Sequence, residues 1–218
     1  LHFVPAGDVR WMLRLLTPRV LAGSSGRNRQ LGLDERDFAK AQRILTRALG
    51  GGRALTRPAA YAELERGGVS PAGQRGIHVL GNLAQRGVLC FGTRQGKQPT
   101  FVLLEEWLPA AARDLSGDEA LATLAGRYFR GHGPATLADF AWWTGLRVAE
   151  ARRAIEAAGR ALRGDSWGSV TTYSSADSAA QGRPPRSRGP SAALLPSWDE
   201  YLVAYRDRSA AVGHLADH

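Results

Sequence analysis

Two runs of helix-periodic sequence, each closed by a short β-rich hairpin, predict a mainly α protein with short β-hairpins, built from tandem winged-helix (helix-turn-helix) units. The first run spans Asp34 to Leu104 and the second Ser116 to Tyr173. A third observation is charge. The 218 residues carry a net +9, and a pI near 10.7 favours a polyanionic partner. Only Lys40 and Lys97 of the 29 basic residues are lysine, so an arginine-rich, GC-biased genome accounts for part of that charge.

The elements follow in order. His2 to Val4 reads as the last strand of something that began upstream. Asp8 is placed to cap a helix with Val9, Met12, Leu13 and Leu16 on one face, and Pro18 is expected to bend or end it. Gly23 to Gly32 reads as a loop. Asp34 opens a helix with Phe38, Ala41, Leu45 and Leu49 along one stripe, stopped by Gly50-Gly-Gly52. Thr56 opens a short helix with Tyr61 and Leu64. Ser70-Pro71 fits an N-cap followed by proline at the first helical position, and the helix from there presents Ile77, Leu80, Leu83 and Ala84. The β-rich runs Val88–Phe91 and Thr100–Leu104 flank a polar turn with Arg94 and Lys97 near its tip.

The second run repeats this order with barely alignable sequence. Ser116-Gly-Asp-Glu119 matches a capping box, and its helix carries Leu121, Leu124, Ala125, Tyr128 and Phe129. Thr136-Leu-Ala-Asp139 matches a second box and opens a helix with Phe140 and Trp143 apolar. Thr144-Gly145 makes the turn. The third helix, Arg147 to Ala158, directs Val148, Ala151 and Ile155 inward and Arg152 and Arg153 outward, and Ala161 to Tyr173 supplies the hairpin.

Composition narrows function. Cys90 is the sole cysteine, which excludes a disulfide framework. The five histidines lack ligand spacing, so no metal and no cofactor is expected. No apolar run spans a membrane, and the N-terminus lacks signal-peptide character. These features predict a reduced, cytoplasmic setting. Without coiled-coil heptads the chain is expected to be monomeric.

Two stretches hold the most specific wording: Arg127-Tyr-Phe-Arg-Gly-His-Gly-Pro-Ala-Thr-Leu-Ala-Asp-Phe-Ala-Trp-Trp-Thr-Gly-Leu146 and Leu194-Leu-Pro-Ser-Trp-Asp-Glu-Tyr-Leu-Val-Ala-Tyr-Arg-Asp-Arg208. With His2-Phe-Val4, the Ala48-Leu49…Leu55-Thr56-Arg57 step and Gly96-Lys-Gln-Pro-Thr-Phe-Val102 leading to Trp107-Leu-Pro109, they resemble the AlkZ-like family. That family comprises bacterial winged-helix DNA-binding proteins and includes DNA glycosylases that unhook interstrand crosslinks. The resemblance implies winged-helix units around a DNA-binding concavity, with a small C-terminal β-domain. Together with the order of elements, it divides the chain into a first-unit remnant and connector (1–33), winged-helix units (34–108 and 109–173), a flexible linker (174–193) and the incomplete start of the β-domain (194–218).

The family's glycosylases carry a Gln-x-Gln catalytic motif in the first unit. None of the glutamines here, Gln30, Gln42, Gln74, Gln85, Gln95, Gln98 and Gln181, forms such a pair. With Leu1 first and Met12 the only methionine, the chain reads as a piece of something longer. No catalytic residue carries over, and activity is left open.

Asp139, beside Trp142 and Trp143, is the most tempting carboxylate, but its spacing from Thr136 favours a capping role. Of the adjacent tryptophans, one is expected in the core and the other against a neighbouring unit, with base stacking the minority reading. Asp199, Glu200, Arg206, Asp207 and Arg208 read as an interdomain salt-bridge set. The expected DNA-binding residues are Arg147, Arg152 and Arg153 on the third helix, Arg94 and Lys97 on the first wing, and Arg186 and Arg188, with Arg183, in the linker. The expected partner is double-stranded DNA, held through phosphate contacts that position without reading sequence. The expected function is the duplex-binding part of a repair glycosylase acting on bulky alkylated or crosslinked purines. The alternative is a non-enzymatic winged-helix transcription regulator.

Overall fold

The computed structural model describes residues 4–108, 114–177, 194–196 and 198–209. The protein is mainly helical with two small antiparallel sheets, and it divides into two compact units, Leu1–Asp114 and Leu115–His218.

Unit 1 holds α1 (Val9–Gly23), α2 (Ser25–Gln30), α3 (Glu35–Leu49), β1 (Leu55–Thr56), α4 (Arg57–Arg66), α5 (Arg75–Gln85), β2 (Leu89–Phe91), β3 (Thr100–Leu103) and α6 (Leu104–Trp107). The amphipathic stripe of α3 forms its core as the periodicity predicts. Phe38, Ala41, Leu45 and Leu49 pack with Leu64 of α4, with Val79, Leu80 and Leu83 of α5, and with Leu89, Phe101 and Leu103 of the sheet. Asp34 caps α3 through a capping box with Asp37, and the Thr56 hydroxyl accepts the Ala59 N–H to open α4. Strand order is β1-β3-β2, with Leu55 opposite Phe101 and Leu89 opposite Leu103.

Unit 2 holds α7 (Gly117–His132), β4 (Ala135–Thr136), α8 (Leu137–Thr144), α9 (Val148–Ala158), a 3-10 turn (Gly159–Ala161), β5 (Leu162–Trp167), β6 (Val170–Ser175) and α10 (Glu200–Val203). Its strand order, β4-β6-β5, repeats that of unit 1: the last strand lies between the first and the second. Phe129 and Phe140 are fully buried with Leu124, Ala125, Ala151 and Ala154.

Several local expectations need correcting. Pro18 does not end α1, which runs on to Gly23 while the Thr17 hydroxyl donates to the Leu13 carbonyl beside the break. Asp8 does not cap α1; its carboxylate instead accepts the indole N–H of Trp11, the buried residue of that helix. The Gly/Ser/Arg loop contains α2. The helix expected from Pro71 starts at Arg75 and buries Gly76, Val79, Leu80 and Leu83, leaving Ile77 exposed. Ser116 makes no side-chain cap bond. Val148 is 56% exposed, and Ala151 and Ala154 form the buried edge of α9. Strand β6 reaches Ser175, two residues into the expected linker, and residues 178–193 of that linker lie outside the described residues, as do His2 and Phe3 of the expected first strand. Where a β-domain is expected to open, the described residues hold the helical turn α10.

Gly76 shows why α5 lies so close to its neighbours. A Cβ there would come within 2.5 Å of the Tyr61 ring and 2.9 Å of Pro71 Cβ. Despite alanine's better helix propensity, Gly76→Ala should therefore destabilise unit 1 by about 1–3 kcal/mol through overpacking, read as a lowered denaturation midpoint.

Candidate nucleic-acid interface

The site in unit 2 is built from the two stretches with the most specific wording. They are separated by 47 residues of chain, 147–193, and meet at Asp139. That side chain is 7% exposed. One oxygen, Oδ2, accepts the Thr136 N–H at 2.9 Å and the Thr136 hydroxyl at 2.6 Å, while Thr136 Oγ1 accepts the Asp139 N–H at 3.1 Å. The other, Oδ1, accepts the backbone N–H of Arg206 at 2.9 Å. The capping reading of Asp139 holds. The contact to Arg206 is new and leaves neither oxygen free for chemistry.

Four more bonds fasten the C-terminal segment to α7 and α8. The Tyr128 hydroxyl donates to the Ala204 carbonyl, and the Tyr205 hydroxyl to the His132 carbonyl, both at 3.0 Å. The Trp142 indole N–H donates to the Val203 carbonyl at 3.3 Å, and that of Trp143 to Glu200 Oε2 at 3.0 Å. Glu200 also lies 3.3 Å from His132 Nε2. Beneath them Tyr128 packs at 5.2 Å between ring centroids against both Phe140 and Trp143. Burial, reinforced by Asp139, Tyr205 and Glu200, pushes the Tyr128 phenol well above its ordinary pKa, and burial then Asp139 raise that of Tyr205.

This arrangement corrects two expectations. The charged group at 199–208 is held mainly by hydrogen bonds rather than by a set of salt bridges: Asp199 caps α10 by accepting the Tyr201 N–H, Glu200 receives Trp143, Arg206 is held by its backbone, and Asp207 accepts the Ser209 N–H. The tryptophans divide differently too. Trp143 is half-buried, Trp142 is 54% exposed, and both are tethered to the C-terminal segment.

The basic residues separate into distinct situations. Arg147, at the N-terminus of α9, and Arg152 are exposed. Arg153 is exposed as expected, but its Nε lies 2.6 Å from Asp118 Oδ1 of α7, so its charge is already paired. In unit 1, Arg94 donates to the Lys97 carbonyl at 2.9 Å, and both lie exposed in the turn between β2 and β3. Arg183, Arg186 and Arg188 lie outside the described residues.

One exposed residue escapes the sequence reading. Trp167, 77% exposed, ends β5 just before the two-residue turn Gly168-Ser169, where Gly168 takes φ +59°. The signal was a Trp-Gly step between two β-prone runs. Beside the hairpin lies a groove of about 730 Å³ lined by the first turn of α8, Trp142, Val148, Arg152, Val170 and Arg206, among others. Among the described residues, no group of three His, Cys, Asp or Glu side chains is placed to hold a metal ion, and no helix is long and apolar enough to cross a membrane.

Comparison with known proteins places this geometry. Residues 1–216 match the family described as AlkZ-like, DNA glycosylase AlkZ-like. The solved structure of Streptomyces sahachiroi DNA glycosylase AlkZ is similar in fold, with a TM-score of 0.61 at 23% identity over 81% of this chain. The match takes in 50% of that structure, so this chain spans about half its length. No curated protein matches the chain.

Two outcomes test the Asp139 clamp. Asp139→Ala leaves the Thr136 hydroxyl capping the residue-139 N–H but removes the other half of the α8 capping box, and it strands the Thr136 and Arg206 N–H groups at a cost of about 1–3 kcal/mol for each donor left buried and unsatisfied. Hydrogen exchange should therefore accelerate across 203–206 while α3 in unit 1 keeps its protection; unchanged exchange at Arg206 counts against the clamp. The second outcome concerns pH. A phenol whose folded pKa is raised keeps its proton in the fold, so its stabilisation is complete below about pH 10 and is lost as pH climbs beyond. Unit 2 should weaken above about pH 10, and Tyr128→Phe should flatten that decline in alkaline denaturation curves.

Proposed function

The chain belongs to the AlkZ-like DNA glycosylase family, and from that premise we propose that it is the duplex-binding part of a DNA repair glycosylase, built on two winged-helix units. The repeated order helix, strand, helix, helix, strand, strand, with the last strand central, supports the winged-helix reading of each unit. In that reading α5 and α9 are the third helices, and the β2–β3 and β5–β6 hairpins are the wings.

The observation that carries the proposal is the outer surface of unit 2. Arg147 and Arg152 stand on α9 with no ion-pair partner for either guanidinium among the described residues, next to a hairpin tipped by an exposed tryptophan. Free guanidiniums on a third helix suit phosphate contacts, and an apolar side chain at a hairpin tip suits a groove wall or a base step. Arg94 and Lys97 give the unit 1 wing a comparable basic tip, and Arg186 and Arg188 are assigned to phosphates on sequence alone. Arg153, held by Asp118, contributes less. The family assignment favours repair over transcriptional regulation, and the chain is taken to act as a monomer in the cytoplasm without a metal or cofactor.

We assign the chemistry of the whole protein to hydrolysis of the N-glycosidic bond of bulky alkylated or crosslinked purines. No residue of this chain is given a catalytic role. Asp139, the carboxylate nearest the tryptophans, is spent on holding Thr136 and Arg206.

The test is a titration with blunt duplex DNA at two salt concentrations. Affinity should fall more than tenfold between about 50 and 200 mM salt, with a slope that Arg147→Ala and Arg152→Ala each reduce by about 1. Arg153→Ala should change affinity less than Arg152→Ala. A flat salt response, or equal effects from Arg152 and Arg153, would contradict the assignment.

A further inference from the structure

We infer that the groove of unit 2 binds a short stretch of unpaired DNA, such as a single-stranded overhang beside the duplex. The inference rests on the DNA-binding reading above and adds a second class of substrate to the same unit.

Three exposed apolar side chains from three elements converge on the groove: Trp142 of α8, Val148 of α9 and Val170 of β6, exposed by 54%, 56% and 49%. Its volume of about 730 Å³ lies within the range of roughly 300–1,000 Å³ usual for small-ligand sites. Among the described residues, Arg152 and Arg206 supply the charges that line it, both positive, and no carboxylate-bearing residue does. The occupant must therefore be anionic and present flat apolar surface, as unpaired nucleotides do. Aromatic stacking with nearby cations is how single strands are held without reading sequence. In a duplex the base faces are already stacked on one another, and meeting an indole costs an unstacked step or is limited to the end pairs, so unpaired nucleotides fit this groove better than duplex does.

The groove is also preorganised. The Trp142 indole is pinned at its edge by the bond from Nε1 to the Val203 carbonyl, while more than half of its surface stays open. The Arg206 backbone is fixed by Asp139, so its guanidinium starts from a fixed point at the rim. Asp139, Trp142 and Arg206, which no catalytic role explains, then share one purpose.

The experiment uses the 218-residue chain with three fluorescently labelled probes: a blunt duplex, the same duplex with a five-nucleotide thymidine overhang, and a ten-nucleotide thymidine strand. The overhang should bind more tightly than the blunt duplex. Trp142→Ala should erase that preference, a loss of about 5- to 100-fold on the overhang, with blunt-duplex affinity unchanged. Trp142→Phe should restore most of it. Arg206→Ala, which leaves the backbone bond to Asp139 intact, should also weaken the overhang complex, and it decides the matter should Trp142→Ala unfold. Equal affinity for blunt and overhanging duplex, or a preference that survives Arg206→Ala and Trp142→Ala, would overturn the inference while leaving duplex binding standing. Failure of the blunt duplex to bind, with the thymidine strand still bound in a Trp142-dependent way, would overturn the proposed function instead. Tryptophan quenching by an acidic, leucine-rich peptide but not by the thymidine strand would make the groove a protein-docking site and sink the inference.

Discussion

Asp139 joins two pieces of chain, its own and that of Arg206, that stand 67 residues apart in the sequence. Its carboxylate lies almost fully inside unit 2, where burying a charge is costly unless hydrogen bonds replace its water. Three donors do so: the Thr136 N–H, the Thr136 hydroxyl and the Arg206 N–H. Hydrogen bonds to an ionised group are worth about 1.5–3 kcal/mol each, roughly twice a neutral one. The same side chain thus starts α8 and fixes the C-terminal segment, and the bonds from Tyr128, Tyr205, Trp142 and Trp143 assemble around it.

That dependence explains how the outer surface of unit 2 is organised. With the C-terminal segment seated, Trp142 is held at its edge and Arg206 reaches the rim of a groove that also contains Arg152. Across the unit, Arg153 grips Asp118 and ties α9 to α7. One of two adjacent arginines thus anchors the third helix while the other stays available. The proposed division between structural and DNA-facing cations follows from that pairing.

Much of this was legible in the sequence, within definite limits. The stripe Phe38, Ala41, Leu45, Leu49 is buried as the 3.6-residue period predicts, because α3 is surrounded by its unit's other helices and sheet. The Asp34, Thr56 and Thr136 caps formed because an N-cap depends on residues two or three positions away. Expectations failed where the answer lay in tertiary packing. Ile77 and Val148 match a helical face by spacing, yet α5 buries the edge of Gly76, Val79, Leu80 and Leu83 and α9 that of Ala151 and Ala154. No local pattern reveals that Arg153 meets Asp118 or that Arg206 meets Asp139. The motif pair was visible, but its junction was not. Trp167 stands at a legible Trp-Gly turn, but a tryptophan beside a turn is buried or exposed according to what packs over the hairpin, which no local pattern reveals.

The most direct measurement of the central claim is amide hydrogen exchange of the chain with and without a saturating blunt duplex. If the outer surface of unit 2 holds DNA, protection should rise at the N-terminal turn of α9, around Arg147 to Arg152, and along the hairpin either side of Trp167, with the buried edge of α7 unchanged. Protection that rises on neither α9 nor the hairpin, at a DNA concentration shown to saturate the protein, would contradict it.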